Sequence, residues 1–478
     1  MHCPTIFSFL LLCGSVISTP VVQSLSPVTS SQPKKPPRAW PFGLSTPVVQ
    51  SLSPVTSKQP KKPPRSWPFG LSTKRVKPQG YRAVGYFGNW DIYARNFFIT
   101  DVPASKLTHL VYSFANVNST TGEVYMTDEW ADLQYQYPGD NPDAAPANTN
   151  NVYGGVKQMY LLKKKNRKLK TLLAILGWTY SPNMIPVLAS PTLRANFVKS
   201  AVSLMTNLGF DGLDMDYEYI TSSTEATNMV SLLKDIRQAM DAAAVNGSTP
   251  YILSYASPAG PARYSLMDFK GMDQYLDFWN FMGYDYAGNW DTLAGHSSNL
   301  FGDLSNPAST PFNTSSAIAY YLTVGCVAPS KINLGMPLYA RSFAKTDGPG
   351  KPFNNTGAAG SFDEAGTWDT KALPLPGSNA TVYNLKHIGA SYSYDATSRL
   401  MISYDTTTNA KVKTSYIQET GLGGAMWWEV SQDKQGEGSL IGTVVDAFGG
   451  ERRLDQSLNR LEYPDSKYDN LRNGMPGE

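Results

Sequence analysis

The segment from residue 210 to residue 219 concentrates acidic side chains in an otherwise apolar stretch. Its four carboxylates belong to Asp211, Asp214, Asp216 and Glu218. Because the side chains of a strand alternate between two faces, the last three share one face, about 6.5 Å apart in succession, and Asp211 lies on the other. Like charges held together raise one another's pKa, so at least one of the three stays protonated near neutral pH. General acid catalysis requires a protonated group, and the segment therefore predicts acid–base chemistry.

A solvated acidic loop and a metal site are the two other interpretations of this segment. Phe210, Leu213 and Met215 argue against a solvated loop, because they give the segment the pattern of a buried strand. No histidine lies nearby in the sequence, and a calcium-binding loop would need more glycine and a different spacing of acids. We therefore favour catalysis and expect no metal at this segment.

Strand-like and helix-like segments alternate along the chain from Tyr81 to Phe448. The predicted strands lie near residues 82–87, 107–114, 169–176, 210–219, 251–256, 276–284, 331–338 and 423–428. Repeated strand–helix units imply a parallel sheet, and eight of them predict an α/β fold of the closed (β/α)8 TIM-barrel type. Such barrels carry their catalytic residues at the carboxyl ends of the strands, which is where Glu218 falls.

The connection after the seventh predicted strand is much longer than the others. It runs from Leu338 to a predicted helix at Ala410, is rich in Gly, Asn, Thr and Tyr, and contains short strand-like runs. We expect an inserted small α+β domain at residues 343–403, between strand 7 and helix 7. The barrel would then comprise residues 76–342 and 404–450, followed by a polar C-terminal tail at 451–478.

The N-terminal region has the composition of a targeting and linker segment. Residues 1–18 contain an apolar core too short to span a bilayer, which predicts a secretory signal peptide. Residues 18–44 recur almost unchanged as 45–71, with a proline- and lysine-rich sequence that predicts extended, disordered chain. The dibasic pair Lys74-Arg75 follows. We expect residues 19–75 to be either a propeptide or a basic spacer, the latter including a tail that binds a cell wall.

Composition excludes several functional classes. The net charge is +3, from 41 basic and 38 acidic residues, and nothing in its distribution indicates nucleic-acid binding. No apolar run beyond the signal is long enough to span a membrane, so we expect a secreted, extracellular monomer, with association to a cell wall left open. Cys326 is the one cysteine outside the predicted signal, and we expect a buried structural thiol.

Glycosylation sequons are a further feature of the chain. They occur at Asn118, Asn246, Asn313, Asn354 and Asn379. In a secreted protein we expect some of them to be modified.

Five motifs carry a family resemblance. The segment Asp211–Glu218 resembles the DxxDxDxE signature of family 18 glycoside hydrolases, the chitinases. Four further runs resemble other motifs of that family, in the family's order: 85–90, 282–285, 335–343 and 423–429. The resemblance extends from about Tyr81 to Phe448 and is greatest to secreted fungal chitinases of the class V, bacterial type that carry an insertion domain. It implies a hydrolase of β-1,4-linked N-acetylglucosamine polymers that acts on chitin or chito-oligosaccharides without a metal or organic cofactor.

The resemblance also assigns roles to the acids. Spacing alone would make Asp216 the nucleophile of a retaining glycosidase, but family 18 uses substrate assistance instead. Glu218 would then protonate the glycosidic oxygen, and the substrate's own N-acetyl carbonyl would attack the anomeric carbon. Asp216 would accept the acetamide N–H and share a proton with Asp214, while Tyr284 would hydrogen-bond the acetamido group. We interpret Asp211 as structural.

A set of substrate-binding residues follows from the same resemblance. Trp428 is expected to be the apolar floor under the reacting sugar, and Trp90 and Trp178 are expected to extend the cleft as stacking platforms. The remaining lining residues are Tyr86, Phe114, Met282, Asp285, Tyr339 and Arg341. Trp290 and Trp427 are left open between substrate binding and core packing.

Two residues of the third strand depart from the family pattern. Ala174 stands where the family has a serine whose hydroxyl hydrogen-bonds the innermost aspartate, here Asp214, and Leu176 stands where it has a glycine near the cleft. We expect reduced or shifted activity from these changes. Two alternatives to a chitinase are a chitin-binding, lectin-like protein with weak or lost activity and an endo-β-N-acetylglucosaminidase. The motifs are compatible with both endo and exo cleavage. They are also compatible with either direction of action along the chain and with several biological roles.

Overall fold

The computed structural model describes residues 80–142, 149–244, 249–357 and 360–478. The predicted signal peptide, the tandem repeat and the sequon at Asn246 lie outside these residues. No helix in the described ranges has the length and apolar character needed to cross a bilayer.

Two sheets contain the strands of the described residues. The strands are β1 (Arg82–Gly88), β2 (His109–Val117), β3 (Val124–Met126), β4 (Lys170–Leu176), β5 (Gly212–Asp216), β6 (Ile252–Ser257), β7 (Phe278–Phe281), β8 (Ile332–Pro337), β9 (Tyr339–Ala344), β10 (Thr367–Asp369), β11 (Thr381–Leu385), β12 (Ala390–Asp395), β13 (Leu400–Ser403) and β14 (Gly424–Trp428). Eight of them pair in parallel in the order β1-β14-β8-β7-β6-β5-β4-β2, and a further β1–β2 pairing closes the ring. The predicted (β/α)8 barrel is thus confirmed.

Helices connect the barrel strands on the outside. In the described residues they are α1 (Gly154–Lys165), α2 (Gly177–Ala189), α3 (Pro191–Asn207), α4 (Ser223–Ala243), α5 (Pro261–Tyr264), α6 (Phe269–Asp273), α7 (Thr314–Thr323), α8 (Thr407–Thr420), α9 (Leu440–Phe448) and α10 (Asp469–Arg472). Helix α2 was not predicted, because it contains Pro182 and Pro186, and interior prolines usually end a helix. Its first turn follows β4 directly, which brings it to the carboxyl end of the barrel.

Apolar residues form two clusters on the two sides of the barrel wall. The inner cluster fills the barrel and includes Val84, Val111, Leu172, Ala174, Phe278 and Met426. The outer cluster lies between strands and helices and includes Leu173 and Ile175 of β4 with Leu213 and Met215 of β5. Strand alternation produces this division, since successive residues of β4 and β5 point to opposite sides.

The insertion is a β-sheet that starts earlier than predicted. Strands β9 to β13 form an antiparallel sheet in the order β10-β9-β13-β12-β11, between β8 and α8. Its described residues contain only two short 3₁₀ helices, Ser361–Asp363 and Thr370–Ala372, so the expected α-helical part is missing from them. The sheet begins at Tyr339 instead of residue 343, because the chain leaves β8 through Leu338 directly into β9. Tyr339 and Arg341 therefore belong to the insertion's first strand.

The C-terminal segment packs under the amino end of the barrel and is not a projecting tail. Tyr463, Leu471 and Met475 are buried in the outer cluster. The backbone N–H of Arg460 donates to Oδ1 of Asp211 at 2.7 Å, and Nζ of Lys163 donates to the hydroxyl of Tyr463 at 2.7 Å. The prediction of a polar tail was wrong because these apolar residues follow no helical or strand period.

The thiol of Cys326 is exposed, so the expectation of a buried structural cysteine was also wrong. Helix α7 ends at Thr323, and Cys326 lies in the turn that follows, with a φ of 54°. The apolar residues around it predicted a longer helix than the chain forms.

Candidate active site

Strand β5 delivers the acidic segment to the carboxyl end of the barrel. Asp214 and Asp216 are buried at its end, and the half-buried Glu218 follows two residues later. The backbone N–H of Glu218 donates to Oγ of Ser181 in α2 at 2.8 Å, which fixes the acid relative to the helix. Close approach of β6 requires glycine at Gly212, where a Cβ atom would lie 2.0 Å from a carbonyl oxygen of the neighbouring strand.

Three donors from three other strands surround the carboxylate of Asp214. The hydroxyl of Tyr86 donates to Oδ2 at 2.7 Å, and Oδ1 accepts from Oγ of Ser254 at 2.6 Å and from Nδ2 of Asn280 at 3.2 Å. Burial raises the pKa of Asp214, and the three hydrogen bonds oppose that rise. Asn280 is itself held by Asn333, whose Nδ2 donates to its Oδ1 at 3.0 Å. The three donors favour the ionised form but only partly offset burial, so the pKa of Asp214 stays above its ordinary value.

Asp216 has the opposite environment. Its buried Oδ1 has no hydrogen-bond partner among the described residues. Burial, followed by the charges of Glu218 and Asp214, raises the pKa of Asp216 well above its ordinary value. The surroundings of Asp216 therefore favour its protonated form, whereas the three donors to Asp214 favour its ionised form.

The pKa of Glu218 suits a general acid. Burial raises it to about 7, a hydrogen bond from Tyr219 and one from the backbone of Trp178 lower it, and the charge of Asp285 raises it. A carboxyl group with this pKa is partly protonated at neutral pH and can both give and take a proton.

Asp211 lies on the far side of β5, away from the other acids. Its Oδ2 accepts from the backbone N–H of Thr171 at 2.7 Å and lies 3.0 Å from Nζ of Lys163, and its Oδ1 accepts from the backbone N–H of Arg460 at 2.7 Å. These contacts tie β5 to β4, α1 and the C-terminal segment, in keeping with the structural role expected for Asp211.

Aromatic rings gather around Trp428 at the end of β14. Its ring stacks on that of Phe114 with centroids 5.6 Å apart, and lies 5.6 Å from the ring of Tyr86 and 6.2 Å from that of Trp90. Trp428 is half-buried and packs against the inner cluster, as does Trp90. The buried rings of Tyr86 and Phe114 support the partly exposed rings of Trp90 and Trp428, which are suited to the apolar face of a sugar.

The insertion sheet contributes charge to the same cleft. Nε and Nη2 of Arg341 donate to the two carboxylate oxygens of Asp285 at 2.8 and 3.0 Å, and Nη1 donates to Thr367 at 2.9 Å. The guanidinium also lies over the rings of Tyr339 and Trp290, at 5.0 and 5.3 Å from their centroids. A bidentate ion pair therefore connects β9 with the loop after β7.

Tyr284 and Met282 lie just before Asp285 in the loop after β7. The hydroxyl of Tyr284 lies 3.8 Å from Sδ of Met426, and its ring packs against that of Tyr339 at 6.1 Å. Burial raises the pKa of Tyr284 well above its ordinary value, so the hydroxyl stays protonated. Because a thioether is a weak acceptor, this hydroxyl is available to a stronger one. Met282 is buried in the inner cluster.

The remaining tryptophans divide between surface and core. Trp178 lies in the first turn of α2 with half of its surface (50%) exposed, and its ring meets that of Tyr219 edge to face at 6.2 Å. Sequence reasoning missed Tyr219 because it follows the acidic motif and has no counterpart in the motif itself. Trp427 is fully buried in the outer cluster, which settles the open choice in favour of core packing, whereas Trp290 is exposed beside Arg341.

The two unusual residues of β4 lie in different environments. Leu176 adopts a φ of 92° at the end of the strand and is buried in the outer cluster, not among the residues that fill the barrel. Leu176 is also paired in register with Asp216, and the reduced or shifted activity expected from this position stays a prediction. Gly177 follows with a φ of 70°, and a Cβ atom there would lie 2.6 Å from the ring of Phe114. Ala174 belongs to the inner cluster and is paired in register with Asp214.

The family model for glycosyl hydrolases family 18 matches residues 82–433, nearly three quarters of the chain. The chain belongs to glycoside hydrolase family 18. The matched range contains every site residue expected from the sequence, from Tyr86 to Trp428. In the described part of the chain, no group of three or more His, Cys, Asp or Glu side chains is placed to hold a metal ion.

Individual members of family 18 resemble the chain over most of their length. It is 46% identical to endochitinase 1 of Metarhizium robertsii and 44% identical to chitinase 1 of Aphanocladium album, in each case over 83% of this chain and 91% of the relative. The solved catalytic domain of the psychrophilic chitinase B from Arthrobacter TAD20 superposes with a TM-score of 0.70 at 30% identity, covering 80% of this chain and 98% of that domain.

Proposed function

We propose that this family 18 member is a chitinase that hydrolyses the β-1,4 linkages of N-acetylglucosamine polymers. The observation that carries the proposal is the position of Glu218, whose pKa is about 7, two residues after the buried Asp216, whose Oδ1 has no hydrogen-bond partner among the described residues. The relatives named as chitinases share up to 46% of their residues with the chain. No residue of the site acts through a cofactor in this proposal.

The first chemical step breaks the glycosidic bond. Glu218 gives its proton to the glycosidic oxygen as the bond from that oxygen to the anomeric carbon breaks. The carbonyl oxygen of the substrate's N-acetyl group attacks the anomeric carbon and forms an oxazolinium-type ring, so the nucleophile belongs to the substrate. The sugar released on the far side carries the proton from Glu218 away as its new hydroxyl.

Asp216, Asp214 and Tyr284 manage the acetamide during this step. Asp216 accepts the acetamide N–H, which orients the carbonyl oxygen and balances the positive charge of the ring. The proton that Asp216 holds in the free enzyme passes towards Asp214, which retains its three donors throughout. The hydroxyl of Tyr284, now held only by a weak sulfur acceptor, donates to the acetamido oxygen. In the second step Glu218, as carboxylate, takes a proton from water, and the hydroxide opens the ring with retention at the anomeric carbon.

Sugar binding is assigned to the aromatic surface and the ion pair around the acids. Trp428 forms the floor of the reacting subsite, with Tyr86, Phe114 and Met282 around it. Asp285, Tyr339 and Arg341 supply polar contacts from the insertion side. Trp90 and Trp178 extend the cleft by stacking on neighbouring sugars.

The protein is further proposed to act outside the cell as a monomer. Residues 1–18 are assigned as a signal peptide, and residues 19–75 as a propeptide or basic spacer. The sequons at Asn118, Asn354 and Asn379 lie at exposed positions, which favours their glycosylation. N-terminal sequencing of the secreted protein tests the propeptide, and a start well before Val76 contradicts it.

Hydrolysis of chito-oligosaccharides by the wild-type protein and Glu218→Gln tests the catalytic assignment. The variant should lose activity by roughly 10²–10⁴-fold, the range that general acid catalysis supplies. Glu225→Gln is the matched control, because Glu225 caps the start of α4 through Thr221, and a glutamine can still accept its longer contact from the hydroxyl of Tyr217, at 3.4 Å. Products should be resolved by size and anomer, and the first product should be the β-anomer.

Other outcomes of the same assay point to other functions. Equal activity of the wild type and Glu218→Gln would overturn the assignment, and initial α-anomer release would contradict retention. Binding of chito-oligosaccharides without hydrolysis would favour the lectin-like alternative. Release of intact N-glycans from a glycoprotein, with no action on chito-oligosaccharides, would identify an endo-β-N-acetylglucosaminidase.

A further inference from the structure

The innermost acid of the site has one neighbour in register on each side. Asp214 of β5 is paired in register with Ala174 of β4 on one side and with Ser254 of β6 on the other. Residues in register on adjacent strands point to the same side of a sheet, so all three side chains face the barrel interior. The position on β4 lacks a hydroxyl group, and the position on β6 supplies one.

We propose that Ser254 is a positioning residue for Asp214, and that its hydroxyl group replaces the one missing from β4 at Ala174. This inference rests on the proposed function, because its role is to keep Asp214 ready to share a proton with Asp216. Oγ of Ser254 lies 2.6 Å from Oδ1 of Asp214, and both residues are completely buried (0% exposed). On this proposal Ala174 alone would cause little loss of activity, in contrast to the loss expected from the family pattern.

The hydroxyl of Ser254 donates the shorter of the two hydrogen bonds that Oδ1 of Asp214 accepts. Without it, Oδ1 keeps only the longer contact to Nδ2 of Asn280, at 3.2 Å, while the hydroxyl of Tyr86 stays on Oδ2. A buried carboxylate that loses a hydrogen bond becomes more basic. The shared proton then rests on Asp214 already in the free enzyme, so it can no longer pass from Asp216 to Asp214 during the reaction, and Asp216 is an anion next to Glu218.

The groups around the two acids do not offset this transfer. The titratable neighbours are Tyr86 from β1, Glu218 and Tyr219 beyond β5, Tyr255 from β6, Tyr284 and Asp285 beyond β7, and Tyr339 and Arg341 from β9. The tyrosines have raised pKa values and stay neutral, and Arg341 is already paired with Asp285. An anionic Asp216 would therefore raise the pKa of Glu218 and move the alkaline limb of activity to higher pH.

The test compares Ser254→Ala, Ala174→Ser and the double variant Ala174→Ser/Ser254→Ala in the hydrolysis of chito-oligosaccharides. We expect Ser254→Ala to lower kcat about tenfold, the effect of about 1.4 kcal/mol, with KM within about twofold of the wild type and the alkaline limb shifted upwards. The double variant supplies a hydroxyl group to Asp214 from β4 instead of β6. It should therefore recover most of the wild-type kcat and return the alkaline limb of the pH profile to its wild-type position. Ala174→Ser alone should stay within about twofold of the wild type, because the anion already has three donors.

Two results would overturn the role of Ser254. One is an unchanged kcat and pH profile in Ser254→Ala, which a space-filling serine predicts. The other is a double variant no better than Ser254→Ala. If Ser254→Ala does not fold, Ser254→Cys takes its place, since a thiol is a weaker donor of similar size and should give an intermediate loss of kcat.

A second measurement separates this inference from the proposed function. Carboxyl-carbon NMR of the full chain follows the titration of Asp214 without any substrate. The pKa of Asp214 should rise in Ser254→Ala and return in the double variant, even if no chito-oligosaccharide is hydrolysed. An inactive wild type would sink the proposed function alone, whereas an unshifted Asp214 titration in Ser254→Ala would sink the role of Ser254 alone.

Discussion

Two aspartates separated by one residue have different hydrogen-bonding surroundings, which favour different protonation states. Asp214 receives three hydrogen bonds, whereas Oδ1 of Asp216 receives none from the described residues. Donors favour the ionised form of a carboxyl, and burial without donors favours the neutral form. Environments that push two pKa values apart divide acid and base work between chemically identical groups.

The alkaline limb of the pH profile of kcat/KM reports the ionisation of Glu218. Loss of Asp285 and loss of Arg341 should shift this limb in opposite directions. Activity requires the protonated acid, so it should fall as the pH rises through about 7, the pKa of Glu218. Asp285→Asn removes a negative charge that raises this pKa, and should shift the limb to lower pH. Arg341→Met removes the cation paired with Asp285, and should shift the limb to higher pH.

The pH dependence of kcat/KM on a soluble chito-oligosaccharide measures both shifts. The two variants control for each other, because both break the same ion pair. Shifts in the same direction would mean that loss of the pair's geometry, not its charge, controls Glu218.

The residue types of the site are predictable from the sequence, but their partners are not. The spacing of Asp214, Asp216 and Glu218 on one strand is enough to place them on one face. Ser254 and Asn280 reach Asp214 from positions 40 and 66 residues away, where no local pattern relates them to an acid. The division of protons between the acids depends on those partners, and therefore could not be read from the motif.

At the level of elements, the end of β4 shows a conflict between side chain and backbone. Leu176 is buried in the outer cluster, yet its φ of 92° is a conformation that L-residues rarely adopt. The family pattern has glycine at this position. This chain has leucine, and its backbone keeps a conformation that glycine adopts without strain. Burial of the leucine side chain offsets the unfavourable backbone.

Replacements at Leu176 separate these two effects. Leu176→Ala should lower the free energy of unfolding by about 2–5 kcal/mol, because it empties a buried site and keeps the unfavourable φ. Leu176→Gly should be about 1 kcal/mol more stable than Leu176→Ala, since glycine adopts a positive φ freely. Urea unfolding followed by circular dichroism measures both.

Leu173 of the same strand is the control for this comparison, because it is equally buried and has no positive φ. There the glycine variant should be less stable than the alanine variant, as in an ordinary strand. The same order of stability at both positions would argue against backbone strain at Leu176.

The elements that sequence reasoning misplaced share a physical cause. Helix α2 contains two prolines, and its existence depends on packing between β4 and the acidic segment rather than on local propensity. The insertion begins at Tyr339, before its composition changes, because a strand can continue directly from Pro337 into a second sheet. Barrel strands were found reliably because their apolar runs are long and their order follows the strand–helix repeat.

On the scale of the whole molecule, the C-terminal segment is part of the core. Its contacts with Asp211 and Lys163 join residues about 250–300 positions apart. Burial lowers the pKa of the Lys163 amine to about 8. The carboxylate of Asp211, 3.0 Å away, opposes this shift because it stabilises the charged amine. Contacts between residues so far apart produce no helical or strand periodicity in the sequence. The C-terminal segment was therefore predicted to be a polar tail.

Alanine replacements within this segment test whether it contributes to stability. Leu471 is completely buried (0% exposed), and Leu471→Ala should reduce the free energy of unfolding by about 2–5 kcal/mol through the cavity it leaves. Leu458, with 54% of its surface exposed, is the control in the same segment, and Leu458→Ala should change stability by less than about 0.5 kcal/mol. Thermal or urea unfolding measures both, and a loosely attached tail would make the two variants equally neutral.

The hydrogen bond between Asp211 and the backbone of Arg460 also sets an order of events during synthesis. The two residues are 249 positions apart, so a ribosome adding about 5–20 residues per second needs roughly 12–50 s to produce the second after the first. Throughout that interval the nascent chain already contains β5 but lacks the backbone donor that completes the environment of Asp211. The environment of Asp211 is therefore completed only after all eight barrel strands, including β14, have been synthesised.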